Sequence, residues 1–273
     1  MADTNRPVAI ITGASSGIGA SYALRLAEMG YDPVIVARRR DRLQDLAREV
    51  QSRWGATAEV IAGDLCETKT IGDVAARASQ GDVDMLVNNA GFAGYRPFID
   101  LYPKVAENLM TLQVRVPTLL IRAVLPGMVQ RRRGGVVNVA SLLALSATIP
   151  PNPMPHRAVY AGAKSYLLTF TQALAGELRD TGVQLQALLP GVVATEFHND
   201  LRMDPGRLAA MAMQPDQVVA ASLVALERGE LICVPGLDDP SLLDNLGKAQ
   251  RAIMEAANRP HLAARYTTAI PSR

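Results

Sequence analysis

Tyr160 and Lys164 stand four residues apart in "YAGAK", where a helical pattern begins. Positions i and i+4 of a helix stack on one face, one turn apart. An ammonium beside a phenol stabilises the phenolate, so charge alone predicts a tyrosine drawn from about 10 toward neutrality. A proton donor works best when its pKa lies near the working pH. The pair is therefore a candidate general acid or base with its tuner, although the same spacing also occurs on ordinary helix surfaces.

A second feature lies at the other end of the chain. "TGASSGIG" (Thr12 to Gly19) follows an apolar run and opens a helical one. Gly13, Gly17 and Gly19 permit a tight turn and a close backbone approach, and the first helical N–H groups favour an anion. With Ser15, Ser16 and Ile18 they form a candidate cradle for the pyrophosphate of a dinucleotide. In such folds a carboxylate about 20 residues on binds the ribose 2′-hydroxyl of NAD. Here that place falls at Ala37, followed by Arg38, Arg39 and Arg40. Arg38 or Arg39 suits a 2′-phosphate, and Arg40 suits the start of the next helix, so NADP(H) is favoured over NAD(H).

These groups need a frame. Short β-branched runs at 8–12, 33–37, 58–62, 84–88, 135–140, 183–189 and 231–235 read as strands. Their continuous apolar character suits a parallel sheet covered on both faces. Helical patterns lie between them at 18–29, 40–53, 68–79, 105–131, 159–180 and 216–228. The alternation predicts an α/β fold, a doubly wound parallel sheet of about seven strands with helices on both faces. The expectation is one Rossmann-type domain over 1–273, with a substrate loop at about 192–214 and a C-terminal extension at 237–273. A proline-rich loop around 150–155 also leaves a strand's carboxyl end, where such sheets bind ligands.

Composition narrows the partners. A net charge of +2 over 273 residues gives no large basic field, and 4% aromatics leave few stacking platforms; no nucleic-acid partner is expected. The cluster Arg131 to Arg133 suits a helix C-terminus. Cys66 and Cys233 make no disulfide framework, and His156, His198 and His261 lack metal-ligand spacing, so no metal is expected. Prolines and polar residues interrupt the charge-free runs 134–156 and 182–195, and the N-terminus has no signal-like pattern. No membrane partner and a cytoplasmic location are expected.

With "GDL" (63–65), "NNAG" (88–91), "VNVAS" (137–141), "YAGAK" (160–164) and "PGVVATEF" (190–197) in register behind the glycine loop, the chain resembles the short-chain dehydrogenase/reductase family over residues 6 to 236. The resemblance implies an NAD(P)-dependent oxidoreductase acting on a small-molecule carbonyl/alcohol pair. It makes Tyr160 the acid or base, Lys164 its partner and a ribose ligand, and Ser141 the hydrogen-bonding partner of the substrate oxygen. It also implies Asp64 and Leu65 at the adenine, Asn88, Ala90 and Gly91 along the adenosine ribose, and Pro190, Gly191, Val193 and Thr195 at the nicotinamide end. A homodimer or homotetramer is expected on the same ground.

There are two departures. Gln113 stands where the family carries an asparagine that helps hold a water beside the lysine, and Ser141 and Tyr160 are 19 residues apart where about 13 is usual. The side chains of Val193, Phe197, Leu201, Met203, Leu208, Met211 and Met213 either line a pocket for a medium-sized hydrophobic ketone or alcohol, or pack as ordinary helix residues. A nucleotide-sensing regulator that has lost catalysis is the competing class; it would lack Tyr160 or Lys164.

Overall fold

The structure is a computed structural model that describes residues 6–152, 154–198 and 210–267. Seven strands form one sheet: β1 (Val8–Thr12), β2 (Asp32–Ala37), β3 (Glu59–Ala62), β4 (Val83–Asn88), β5 (Gly134–Val139), β6 (Val183–Leu188) and β7 (Ile232–Cys233). Their spatial order is β3-β2-β1-β4-β5-β6-β7, and every pairing is parallel. This is the expected doubly wound sheet. β7 is shorter than the apolar run 231–235 implies, with only Ile232 and Cys233 in the ladder.

Alternate strand residues face opposite sides. Ile11, Ile35, Val87 and Val137 join one core with α1 (Gly17–Glu28), α2 (Arg40–Trp54) and residues of a later helix. Ile10, Val34, Leu86 and Val136 join the other, with α3 (Thr68–Ala78) and a long helical run from Pro103 to Arg131. That run is the single helix among the described residues whose length and apolar composition would allow it to cross a membrane. Here Val116, Leu120, Ile121, Val124 and Met128 bury one side of it in the second core.

The sequence reads 105–131 as one helix, but three pieces follow one another. These are α4 (Pro103–Met110), a π-helical segment (Thr111–Arg115) and α5 (Val116–Arg131). Pro117 lacks the N–H that an α-helix would use at that place, and the wider turn just before it contains the fully buried Gln113. Single π-turns of this kind occur frequently at functional sites. α6 (Ala158–Glu177) and α7 (Pro215–Glu227) complete the frame.

By internal contacts the chain divides at Pro235. The segment Gly236–Arg273 carries α8 (Ser241–Ala257), amphipathic and with Leu242, Leu246, Ile253 and Met254 exposed, and a short helical turn, Ala264–Thr267.

Candidate active site

Strand order reverses beside β1, where β2 and β4 flank it on either side, and crevices at such switch points hold ligands in open sheets. The glycine turn lies at this carboxyl edge. Gly13 and Gly17 take φ of +71° and +57°, and a Cβ at Gly13 would come 2.9 Å from the Ala90 Cα. A larger residue would be both strained and blocked. α1 begins at Gly17 with Ser16 as N-cap, and Ser16 makes no side-chain bond to the helix. The first-turn N–H groups are thus left to an external acceptor, which suits an anion. The cradle fits a dinucleotide pyrophosphate.

Thr12 and Asn89 hold this turn against β4. Thr12 is buried; its Oγ1 accepts from the N–H groups of Asn89 and Ala90 at 2.9 and 3.0 Å and donates to the Val87 carbonyl. Asn89 Nδ2 donates to the carbonyls of Thr12 and Gly13. Asn88, expected along the adenosine ribose, is buried and donates to Asn138, which donates on to Thr171. The Oδ1 of Asn88 has no partner among the described residues. Asp64 uses one oxygen to accept from the Cys66 N–H, and Leu65 is buried beside it. Ala90 and Gly91 are half-buried on the loop after β4.

Past the end of β2, Arg39 is the arginine that meets the glycine turn. Its Nη2 donates to Ser15 Oγ at 2.9 Å and to Ser16 Oγ at 2.7 Å. Arg38 is exposed and acts electrostatically on Cys66, next to Asp64. Arg40 opens α2, as the sequence reading has it.

The second group of side chains gathers at the ends of β5 and α6. Ser141 follows β5 by two residues and caps a 3-10 turn, its Oγ accepting from the Leu143 N–H at 3.1 Å. Its own hydroxyl hydrogen is not used in that bond, and the group acts on the neighbouring Tyr160 phenol. Tyr160 and Lys164 share one face of α6 and are 5% and 4% exposed. Lys164 Nζ donates to the Val139 carbonyl at 2.7 Å and lies 5.7 Å from the centre of the Tyr160 ring. Two of its three hydrogens stay available to other acceptors.

Here the expectation from charge is overturned. Burial pushes the Tyr160 phenol well above its ordinary value, with the neighbouring Tyr95 adding to the rise; the Ser141 hydroxyl works against it. Burial also brings Lys164 down to about 7, so near neutral pH it is only partly charged. Desolvation disfavours both charged forms and outweighs their mutual attraction.

Two aromatic rings that the sequence reading does not assign to the chemistry enclose Tyr160. Tyr95, from the loop after β4, meets it edge-on at 5.4 Å between centroids. Phe197 lies tilted against its ring at 5.9 Å. The extra loop between Ser141 and Tyr160 is gathered by the buried Arg157. This guanidinium donates to Ser146 Oγ and to the carbonyls of Ser146, Ile149 and Pro155, all at 2.7–3.0 Å. Its charge opposes the rise of the Tyr95 phenol, which burial takes to about 12. Pro153 lies outside the described residues.

Gln113 does not turn its donor to the lysine. Its Nε2 donates to the Phe92 carbonyl at 2.7 Å, and its Oε1 is buried without a partner among the described residues. The longer side chain reaches across from the π-segment to the loop after β4. The acceptor oxygen and the second N–H of the amide are left for any relay.

The segment after β6 supplies the remaining wall. Pro190 is buried and accepts from the Leu142 N–H, Gly191 is exposed, and Val193 is buried and bridged to Met213. Thr195 meets Gly17. Met213 packs against the first core while Met211 is 58% exposed; Leu201, Met203 and Leu208 lie outside the described residues. An acid, a hydroxyl partner and an ammonium thus converge a short way from a dinucleotide cradle, an arrangement that can deliver a proton to a substrate oxygen.

A short chain dehydrogenase family model matches residues 7–206. A short chain dehydrogenase of Pseudocercospora fijiensis is 38% identical over 197 residues, 69% of this chain; the match spans only 60% of that relative's length. Among solved structures, a short-chain dehydrogenase from Sphingobium yanoikuyae in complex with NADPH is 33% identical, with a TM-score of 0.88, covering 95% of this chain and all of that one. A bulky-bulky ketone specific alcohol dehydrogenase from Comamonas testosteroni is 30% identical, with a TM-score of 0.85, covering 96% of this chain and 99% of that one.

Proposed function

The chain belongs to the short-chain dehydrogenase/reductase family of oxidoreductases, and from that premise we propose that it interconverts hydrophobic ketones and secondary alcohols with NADP(H). When bound, the nicotinamide gives or takes the hydride. The protein's own groups handle the proton. Ser141 donates to the substrate oxygen and holds it against Tyr160. In reduction, the Tyr160 hydroxyl transfers its proton to that oxygen, for which a neutral, buried phenol is the correct starting form. Lys164, fixed by the Val139 carbonyl, directs its remaining N–H groups toward the ribose and stabilises the phenolate left behind.

The observation that carries this reading is the convergence of Ser141, Tyr160 and Lys164, each under 9% exposed, on one crevice with the glycine turn. The NADP(H) preference rests on Arg39 lying across Ser15 and Ser16 where no carboxylate follows Ala37. Arg38 adds charge on the adenine side. Tyr95 and Phe197 beside Tyr160 favour an apolar substrate, and the Comamonas relative's bulky ketones support the same class. A cytoplasmic homodimer or homotetramer completes the proposal.

The test is a panel of ketones and aldehydes graded in size, assayed with NADPH and with NADH. Turnover of the bulkier apolar ketones with NADPH is expected; equal use of both cofactors overturns the preference, and activity confined to small polar carbonyls overturns the substrate class.

A further inference from the structure

Three consecutive residues after β6 each meet a different part of the site. Thr195 presses on the glycine turn, so that a Cβ at Gly17 would lie 2.7 Å from its Cγ2. Phe197 leans on the Tyr160 ring. Between them, Glu196 places Oε2 2.6 Å from Arg39 Nη1 and Oε1 2.7 Å from Arg42 Nη1. Arg39 is the same residue that spans Ser15 and Ser16. A carboxylate of the chain itself is therefore bound by the guanidinium that the proposed 2′-phosphate needs.

We propose that Glu196 is a specificity-determining residue that competes, from within the chain, with the cofactor's 2′-phosphate for Arg39 and Arg42. The inference rests on the NADP(H) reading above and goes beyond it. Arg39 commits Nε and Nη2 to the two serines and one Nη1 hydrogen to Glu196, so a single N–H stays uncommitted and a two-point grip on a phosphate requires loosening one of these. The serines belong to the cradle, whereas Glu196 belongs to a separate segment. The two arginines also hold the Glu196 carboxyl down at about 2, which keeps the competitor charged at any working pH.

Magnitude decides that such a competitor can be displaced. Arg39, Arg42 and Glu196 side chains are 41–47% exposed, and exposed ion pairs are weak and screened by salt. A phosphate carries close to twice the charge of a carboxylate and offers three acceptor oxygens. It displaces Glu196, but it binds less tightly than it would to uncommitted arginines. NAD(H), having no 2′-phosphate, does not enter this competition. A residue that merely oriented the arginines for phosphate would have the opposite effect on removal.

The experiment is calorimetric titration of the full chain and its Glu196→Gln variant with adenosine 2′,5′-bisphosphate and with AMP, at low and moderate salt. Glu196→Gln is expected to tighten the bisphosphate about two- to fivefold at low salt, to leave AMP unchanged, and to lose the gain as salt rises. Unchanged or weaker bisphosphate binding in the variant, where the unmutated protein still prefers bisphosphate to AMP, overturns the competition. Equal binding of the two probes by the unmutated protein overturns the cofactor reading itself, and the competition with it.

Discussion

At the Tyr160 end of the site the ionisable side chains are 4–5% exposed, while at the arginine end they are 41–47% exposed. Both ends set a cation near a group that can become an anion, yet they behave oppositely. In the exposed cluster, hydrogen bonds from Arg39 and Arg42 win, and Glu196 is held at about 2. In the buried cluster, loss of water wins; Tyr160 rises and Lys164 falls to about 7. Proximity of opposite charge is therefore not enough to infer the direction of a pKa shift. Burial decides it, through the cost of holding a charge away from water.

The largest effect should come from removing the proton donor at the buried end. Tyr160→Phe keeps a ring for Tyr95 and Phe197 to pack against, so the fold and the cradle are preserved. Turnover on an identified ketone should fall about 10²–10⁴-fold, the usual contribution of a positioned acid, with NADPH affinity little changed. Steady-state rates alongside a binding titration check this. Near-normal turnover would mean that the buried end is not the acid, and the contrast would lose its functional meaning.

The second test compares the two ends through pH. Burial brings the Lys164 ammonium down to about 7 in the folded chain, against about 10.4 when unfolded. Between these values the unfolded state binds more protons, so stability rises with pH. The desolvation cost is fully present below about 7. Tyr160 acts in the opposite sense only above its ordinary value of about 10, which leaves pH 7–9 for the measurement. Thermal unfolding of the cofactor-free protein should show the unmutated chain gaining on Lys164→Met across that range, with little dependence on salt. A constant difference between the two would sink the assignment.

Much of this frame is readable from residue order. The runs 8–12, 84–88 and 183–189 locate strands to within a residue, because buried parallel strands are apolar on both faces. The glycine turn and the Tyr160–Lys164 spacing are local patterns and likewise legible. What escapes is non-local. Glu196 meets Arg39 across 157 positions, and nothing in either segment alone marks the pairing. Tyr95 reaches Tyr160 only because the β4 and α6 ends meet at the same edge. Asn89 is hidden by its twin, since two adjacent asparagines differ in which face of the chain they occupy, and only the sheet decides which is buried. The π-segment leaves the 3.6-residue pattern nearly intact; Pro117 follows it, but Pro126 lies inside a continuous α5, so proline alone does not mark the break. A continuous helix over 105–131 is therefore what periodicity returns.

The smallest effect, and the sharpest test of how differently the two ends tolerate change, is a pair of conservative substitutions. Gln113 is fully buried and spans from the π-segment to the Phe92 carbonyl at 2.7 Å. Asparagine is one methylene shorter and falls short of that carbonyl, although it is the residue the family pattern leads one to expect. Losing the bond should cost about 1 kcal/mol, rising toward ~3 kcal/mol if the carbonyl is left without a partner. In a domain of this size that lowers Tm by about 2–4 °C per kcal/mol. At the exposed end, Arg42→Lys keeps a cation near Glu196 in water, where exposed pairs contribute only ~0–1 kcal/mol, and Tm should barely move. Scanning calorimetry of both variants reads the comparison directly. The one feature working against it is Gln113 Oε1, already buried without a partner among the described residues. If the shorter asparagine relieved that orphan by more than it lost at Phe92, Tm would rise. The buried end would then be held by packing of the π-segment itself, and not by the amide that bridges it.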